Sequence, residues 1–284
     1  MSLKQQAEIW LRTVVSKHLG SNIRRYKWSS YLGEVSHNSL GGISFLPPCE
    51  GKVAEVSDEF TLVKTAASCF CVVSNALLGQ PVAEGDKIGL TFYKPKRFDG
   101  TKADGSDDPS EGGVRTVMLT GAASLFPVKW EGRYLGINDR FADAYTEIRN
   151  PYLRDLITQL ERMPVSNGLR AVVNVLIDAN ATGLTFNDPS ESESASSPPA
   201  IRMSVSTEKH KGQVEISYDR AMDVYAVRLT PDSGSGPLVL DNVYFNQLGE
   251  VLIDGIDDGR WMLAAVAMIK PAPKKRKLVQ PAEA

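Results

Sequence analysis

Gly51-Lys-Val-Ala-Glu-Val-Ser57, Phe60-Thr-Leu-Val-Lys-Thr65 and Cys69-Phe-Cys-Val-Val73 follow one another with only Asp58-Glu59 and Ala66-Ala-Ser68 between them. Each run is short and rich in β-branched or aromatic residues, and each is bounded by small or polar residues. That is the signature of consecutive strands joined by tight turns. Downstream, Pro81-Val-Ala-Glu-Gly85-Asp86 reads as a turn into Lys87-Ile-Gly-Leu-Thr-Phe-Tyr93, a further strand. Upstream lie Tyr31-Leu-Gly-Glu-Val35 and Ile43-Ser-Phe-Leu46, the latter stopped by Pro47-Pro48. Before all of them, Leu3, Ala7, Trp10, Leu11, Val14, Val15 and Leu19 recur at helical spacing, with Gly20 placed to end the helix.

Several short strands in close succession predict a small barrel or a tightly curled sheet. The segment Gly51 to Tyr93 resembles small OB- or SH3-like barrel modules. Gly51-x-Val53 opens a strand, Val82-x-x-Gly85-Asp86-x-Ile88 makes the turn, and the last strand leaves toward Tyr93. The resemblance implies a barrel over about residues 1–98, with its exit strand placed to meet nucleic acid. Similar small barrels in plasmid-borne accessory proteins imply the setting of a mobile genetic element.

The remainder alternates helix and strand signals. Residues 99–113, rich in Gly, Asp and Ser, are expected to form a flexible acidic loop. Arg115–Leu119 and Val128–Glu131 carry strand signals. Helices are predicted over 138–148 and 151–163, the second capped by Asn150-Pro151 and stopped by Pro164. Leu169–Ile177 reads as a buried strand, and 187–199, Ser-Glu-Ser-Glu-rich, as a disordered loop. Strands then follow over 201–205, 212–217 and 225–229. Val239–Phe245 and Glu250–Ile253 fit either strand or helix. Asp257-Asp258-Gly259 reads as a turn before a last apolar strand, Trp261–Ile269. The predicted class is α+β: a helix and small barrel, then a helical pair packed on a mainly antiparallel sheet over 114–270, then a basic disordered tail, 271–284.

Composition narrows the functional classes. The chain of 284 residues is 42% hydrophobic, which is globular. It has no run of about 20 apolar residues, and its N-terminal helix is broken by Lys4, Glu8, Arg12 and Lys17. The expectation is a cytoplasmic protein with no membrane partner, or a nuclear one in a eukaryotic cell. Three cysteines, Cys49, Cys69 and Cys71, argue against a disulfide framework. There is no Gly-x-Ser-x-Gly elbow and no phosphate-binding glycine loop, and the three histidines are scattered, so no catalytic residue is assigned. No cofactor or metal is implied. A metal-dependent phosphodiesterase needs carboxylates converging from several strands, and Asp178, Asp219 and Asp241 sit at strand ends where they would have to meet.

Charge carries the functional reading. The net charge is -2, from 32 basic and 34 acidic residues. Pro273–Ala284 holds four of the basic residues and one acidic, so the body is at -5 and the tail at +3. The basic residues gather with rings in three places: Arg24-Arg25-Tyr26-Lys27-Trp28, Phe92-Tyr93-Lys94-Pro95-Lys96-Arg97-Phe98, and the tail Lys274-Lys275-Arg276-Lys277. Clustered lysine and arginine neutralise phosphates, and interleaved rings stack on bases. A non-enzymatic protein that binds DNA or RNA is therefore expected, with Arg24, Arg25, Lys27, Lys94, Lys96 and Arg97 on phosphates and Tyr26, Trp28, Tyr93 and Phe98 stacking. The alternative is an interaction, assembly or inhibitor protein whose acidic loops meet a protein partner.

Overall fold

The computed structural model describes residues 1–34, 45–96, 129–130, 133–134, 148–166 and 169–273. The expected helix over 138–148, the strand over 115–119, the acidic loop and the basic tail lie outside these. The chain divides into two units. One comprises 1–34, 45–93 and 262–284, and the other 35–44 and 94–261, so the second interrupts the sequence of the first. Each is α+β.

In the first unit, helix α1 (Leu3–Val14) starts at a reciprocal cap. Ser2 Oγ accepts from the Gln5 amide at 3.2 Å, and Gln5 Oε1 accepts from the Ser2 amide at 3.0 Å. The helix buries Ala7, Leu11 and Val14 and passes into a 3₁₀ turn, Val15–His18. The strands are β1 (Lys27–Tyr31), β2 (Cys49–Val56), β3 (Phe60–Ala66), β4 (Cys69–Ser74) and β5 (Lys87–Thr91). The last, here numbered β13 (Ala265–Lys270), comes from the far end of the chain. They form one sheet in the order β1-β4-β3-β2-β5-β13.

One face of the sheet packs Phe60, Leu62, Phe70 and Val72 against α1. The other gathers Val53, Val63, Cys71, Val73, Ile88, Leu90 and Phe92 into a second core. Burying a side chain of this size contributes about 1.5–3 kcal/mol, so both faces hold the sheet in place.

The expected barrel is not found, because the sheet stays open. β1 and β13 are its two edges and do not pair with each other. Near those edges the Tyr31 hydroxyl donates to the Met262 carbonyl at 2.8 Å, and Tyr31 packs on Phe92 with ring centroids 4.7 Å apart. β1 lies parallel to β4 rather than in a hairpin. Local alternation reveals strands but not their partners, and β13 is separated from β5 by the whole second unit. The expected last strand thus belongs to the first sheet, not to the sheet of the C-terminal half.

The second unit has a short hairpin, β6 (Lys129–Trp130) with β7 (Arg133–Tyr134). Among its described residues are also three α-helices: α2 (Pro151–Arg162), α3 (Val172–Asp178) and α4 (Leu248–Ile256). Its main sheet orders β8 (Thr182–Asn187), β9 (Ala200–Ser206), β10 (Lys211–Asp219), β11 (Val224–Pro231) and β12 (Leu238–Val243) as β12-β11-β10-β9-β8, antiparallel throughout. Asn150 caps α2 as expected, its Oδ1 accepting from the Tyr152 and Leu153 amides. Leu153, Leu156, Ile157 and Leu160 then face Val214, Ile216, Val227 and Leu229 of the sheet in one core.

Two expectations fail in this unit. Val172–Asp178 is a helix rather than a strand. It is apolar on every side because it is buried on every side, and a short run of that kind has no period to read. Residues 187–199 are ordered. Asn187 donates to Ser197 and Pro198, and Asn150 donates to Pro189 and Ser194. The serines that made the segment look unstructured serve as local hydrogen-bonding groups. No helix among the described residues is long and apolar enough to cross a membrane.

Candidate nucleic-acid interface

The rings expected to stack on bases are used in packing. Tyr26 meets Phe70 edge-on with centroids 6.1 Å apart, and Tyr26 and Trp28 both pack against the core beneath α1. Tyr93 is buried. Arg24, Arg25, Lys27 and Lys96 are exposed, while Lys94 is half-buried and partnered. Arg97, Phe98, Lys274, Lys275, Arg276 and Lys277 lie outside the described residues. The sequence motif therefore supplies exposed cations, with its described rings used in packing.

The sheet brings together a set of cations that the sequence scatters. Lys64 of β3 stands directly opposite Lys52 of β2. Lys52 stands opposite Lys87 of β5, and Lys87 opposite Lys270 of β13. Residues directly opposite in an antiparallel pair share a face. The four lysines therefore form a row across four adjacent strands, roughly 14 Å long at ~4.8 Å per strand. Alternation on β3 puts Lys64 on the face of Phe60 and Leu62, the face that α1 covers farther along. The row takes the part of that face the helix leaves open.

The row lines a cleft of about 540 Å³, completed by Glu50, Gly51, Thr65, Gly85, Pro271 and Pro273. Two local devices set its shape. Gly51 is in tight contact with β3, since a Cβ there would come within 2.4 Å of the Lys64 carbonyl oxygen. Asp86 is buried, and its carboxylate accepts from the Ala83 amide at 2.8 Å and the Ala272 amide at 2.7 Å, which fixes the segment just after Lys270. The chain leaves this cleft into the sequence Lys274-Lys275-Arg276-Lys277.

Like charges directly opposite on a sheet destabilise it, and little local compensation is offered here. None of the four lysines forms an ion pair among the described residues. Lys64 Nζ donates to the His18 carbonyl at 2.6 Å. The nearby carboxylate of Glu55 is engaged by His18 at 2.9 Å and Lys17 at 3.2 Å, and the His18 hydrogen bond holds its pKa below the usual carboxylate range. Glu50 is the one acid lining the cleft among the described residues. Such a surface attracts an extended anion and holds it through point-charge contacts rather than planar, bidentate ones.

The carboxylates weighed for metal chemistry are occupied differently. Asp178 accepts from Arg170 at 3.1 Å, and Asp219 accepts from the amides of Ala221 and Met222 in a turn. Asp241 is exposed on β12. No group of three His, Cys, Asp or Glu side chains among the described residues is placed to hold a metal ion.

The row was missed from sequence because each lysine is an ordinary polar position in its own strand. Only the register aligns Lys52, Lys64 and Lys87, and only the return of the chain adds Lys270. No family model, curated protein or solved structure matches this chain, so the row stands as its own signal.

Proposed function

We propose that this chain is a non-enzymatic nucleic-acid-binding accessory protein acting in the cytoplasm, and that the lysine row of the first unit is its contact surface. One observation carries the reading: Lys64, Lys52, Lys87 and Lys270 face one another across four strands, with no carboxylate among the described residues paired to them. A protein at net charge -2 tolerates that repulsion most readily where a bound anion relieves it. Arg24, Arg25 and Lys27 of the same unit are exposed as well. Filter-binding titrations against DNA and RNA, each single- and double-stranded, test it over a salt series. Binding that weakens steeply with salt and is lost in Lys52→Glu/Lys87→Glu is expected. Retention of none of the four at low salt overturns the reading.

A second reading, association with protein, is favoured by a different observation. β12 is an edge strand, and Leu238, Val239, Tyr244 and Phe245 in and beside it are exposed, Phe245 at 66%. An open edge with apolar side chains pairs readily with another strand. Light scattering tests this reading. Self-association abolished by Val239→Lys supports it, and a monomer at all concentrations removes the self-pairing form.

A further inference from the structure

We infer that the lysine row takes double-stranded nucleic acid by its backbone, without regard to base sequence. This rests on the nucleic-acid reading above and adds the form of the ligand.

Three observations point to a duplex. First, single strands are held largely by rings that stack on bases, and the rings of this unit are committed elsewhere. Tyr26 packs on Phe70, Trp28 against the core under α1, and Tyr31 on Phe92, while Tyr93 is buried. Second, the cleft is lined by lysines, glycines, prolines, one threonine and one glutamate. Among the described residues it offers no ring, and none of the arginine, asparagine or glutamine side chains that make most bidentate contacts to base edges. What remains is a set of ammonium groups, which bind phosphate as point charges and carry no sequence information. Third, the row is mounted on paired strands, so its backbone positions are fixed and do not follow a flexible strand as it bends. Over the row's length of roughly 14 Å a duplex presents about eight phosphate charges, and one strand about half as many. With affinity coming from charge alone, the denser ligand wins.

The test is fluorescence anisotropy with the full chain and three labelled probes: a short DNA duplex, a second duplex of scrambled sequence, and one strand of the first. Four contacts give a salt slope of about -3.6 on the duplex and about -2.8 on the strand. The duplexes should bind equally, about sixfold tighter than the strand at 100 mM salt, and weaken about 150-fold from 50 to 200 mM. Lys52→Glu/Lys87→Glu, which makes Lys64 and Lys270 each face a carboxylate while positions 52 and 87 still face like charge, should abolish this binding in a chain whose circular dichroism and thermal melt match the parent. Single strand bound as tightly as duplex, with the same dependence on Lys52 and Lys87, overturns the duplex inference and leaves the nucleic-acid reading intact. So does a clear difference between the two duplex sequences. Binding to none of the probes, or binding indifferent to the double variant, overturns both.

Discussion

Each unit assembles positive charge, and the two treat it in opposite ways. In the second unit Arg170 is 2% exposed. Its guanidinium meets Asp178 at 3.1 Å and also Asp257, and it lies 3.8 Å from the centroid of the Trp261 ring. Two carboxylates and a ring answer that cation within the protein. In the first unit four lysines face each other at strand spacing on an open surface, and no carboxylate among the described residues is paired with them. A charge kept for the fold is neutralised where it stands, because an unpaired buried ion costs several kcal/mol. A charge left facing its like on the surface has no such answer among the described residues, and the proposed answer is a bound phosphate backbone.

The largest effect that would break this contrast is at Arg170. Arg170→Met leaves Asp178 and Asp257 buried without their cation and should cost about 3–5 kcal/mol, read by urea unfolding. Nucleic-acid binding of the folded fraction should not change. Adding Asp178→Asn and Asp257→Asn to that variant should restore much of the loss, since the cost lies in the orphaned carboxylates.

A second measurement concerns the tyrosines beside the same core. Tyr225 is pushed up to about 12, chiefly by burial and further by Asp223 and Asp155, and Tyr218, hydrogen-bonded to Asp223 at 2.7 Å, is raised as well. The folded state therefore holds these protons above the ordinary value near 10, where the unfolded chain releases them. The stability they contribute is fully present below about pH 10 and declines as pH rises toward 12. Tyr225→Phe should flatten part of that alkaline decline in a pH series of thermal melts. An unchanged profile would show that the burial of this hydroxyl does not matter.

The smallest expected effect sharpens the comparison most. Lys87→Gln removes the lysine that faces both Lys52 and Lys270. Folding should become more stable by about 0.2–1 kcal/mol, while the salt slope of duplex binding falls by about 0.9. Opposite signs for stability and binding mark a charge kept for a ligand. A loss of stability would mean that Lys87 serves the fold after all. At the acid end, Glu55 is held below its ordinary range mainly by His18, so the support it gives is present above about pH 4.5 and is lost as pH falls through its lowered pKa. Lys87→Gln should leave that acid limb where it is.

Much of the architecture was readable from local pattern. The cap at Asn150-Pro151, the period of α1, and the strands from Lys52 to Val73 rest on interactions within a few residues, and those survive in the structure. The misreadings share one cause. Val172–Asp178 lost its helical period by being buried all round, and 187–199 looked unstructured because its order comes from Asn150, which lies elsewhere in the sequence.

The basic-aromatic motifs near Arg24 and Phe92 were real concentrations of charge, yet whether a ring faces a base or a core is decided by what packs beneath it. By itself the sequence determined the α+β class, the excess of positive charge near its two ends, and the places of α1, α2 and β2 to β4, since these follow from composition and short-range periodicity. The tertiary structure alone decided that the sheet stays open, that the last strand returns to the first unit, and that Lys52, Lys64, Lys87 and Lys270 stand in one line. Strand register is a long-range property: a shift of one residue would have sent each of these lysines to a different neighbour and a different face.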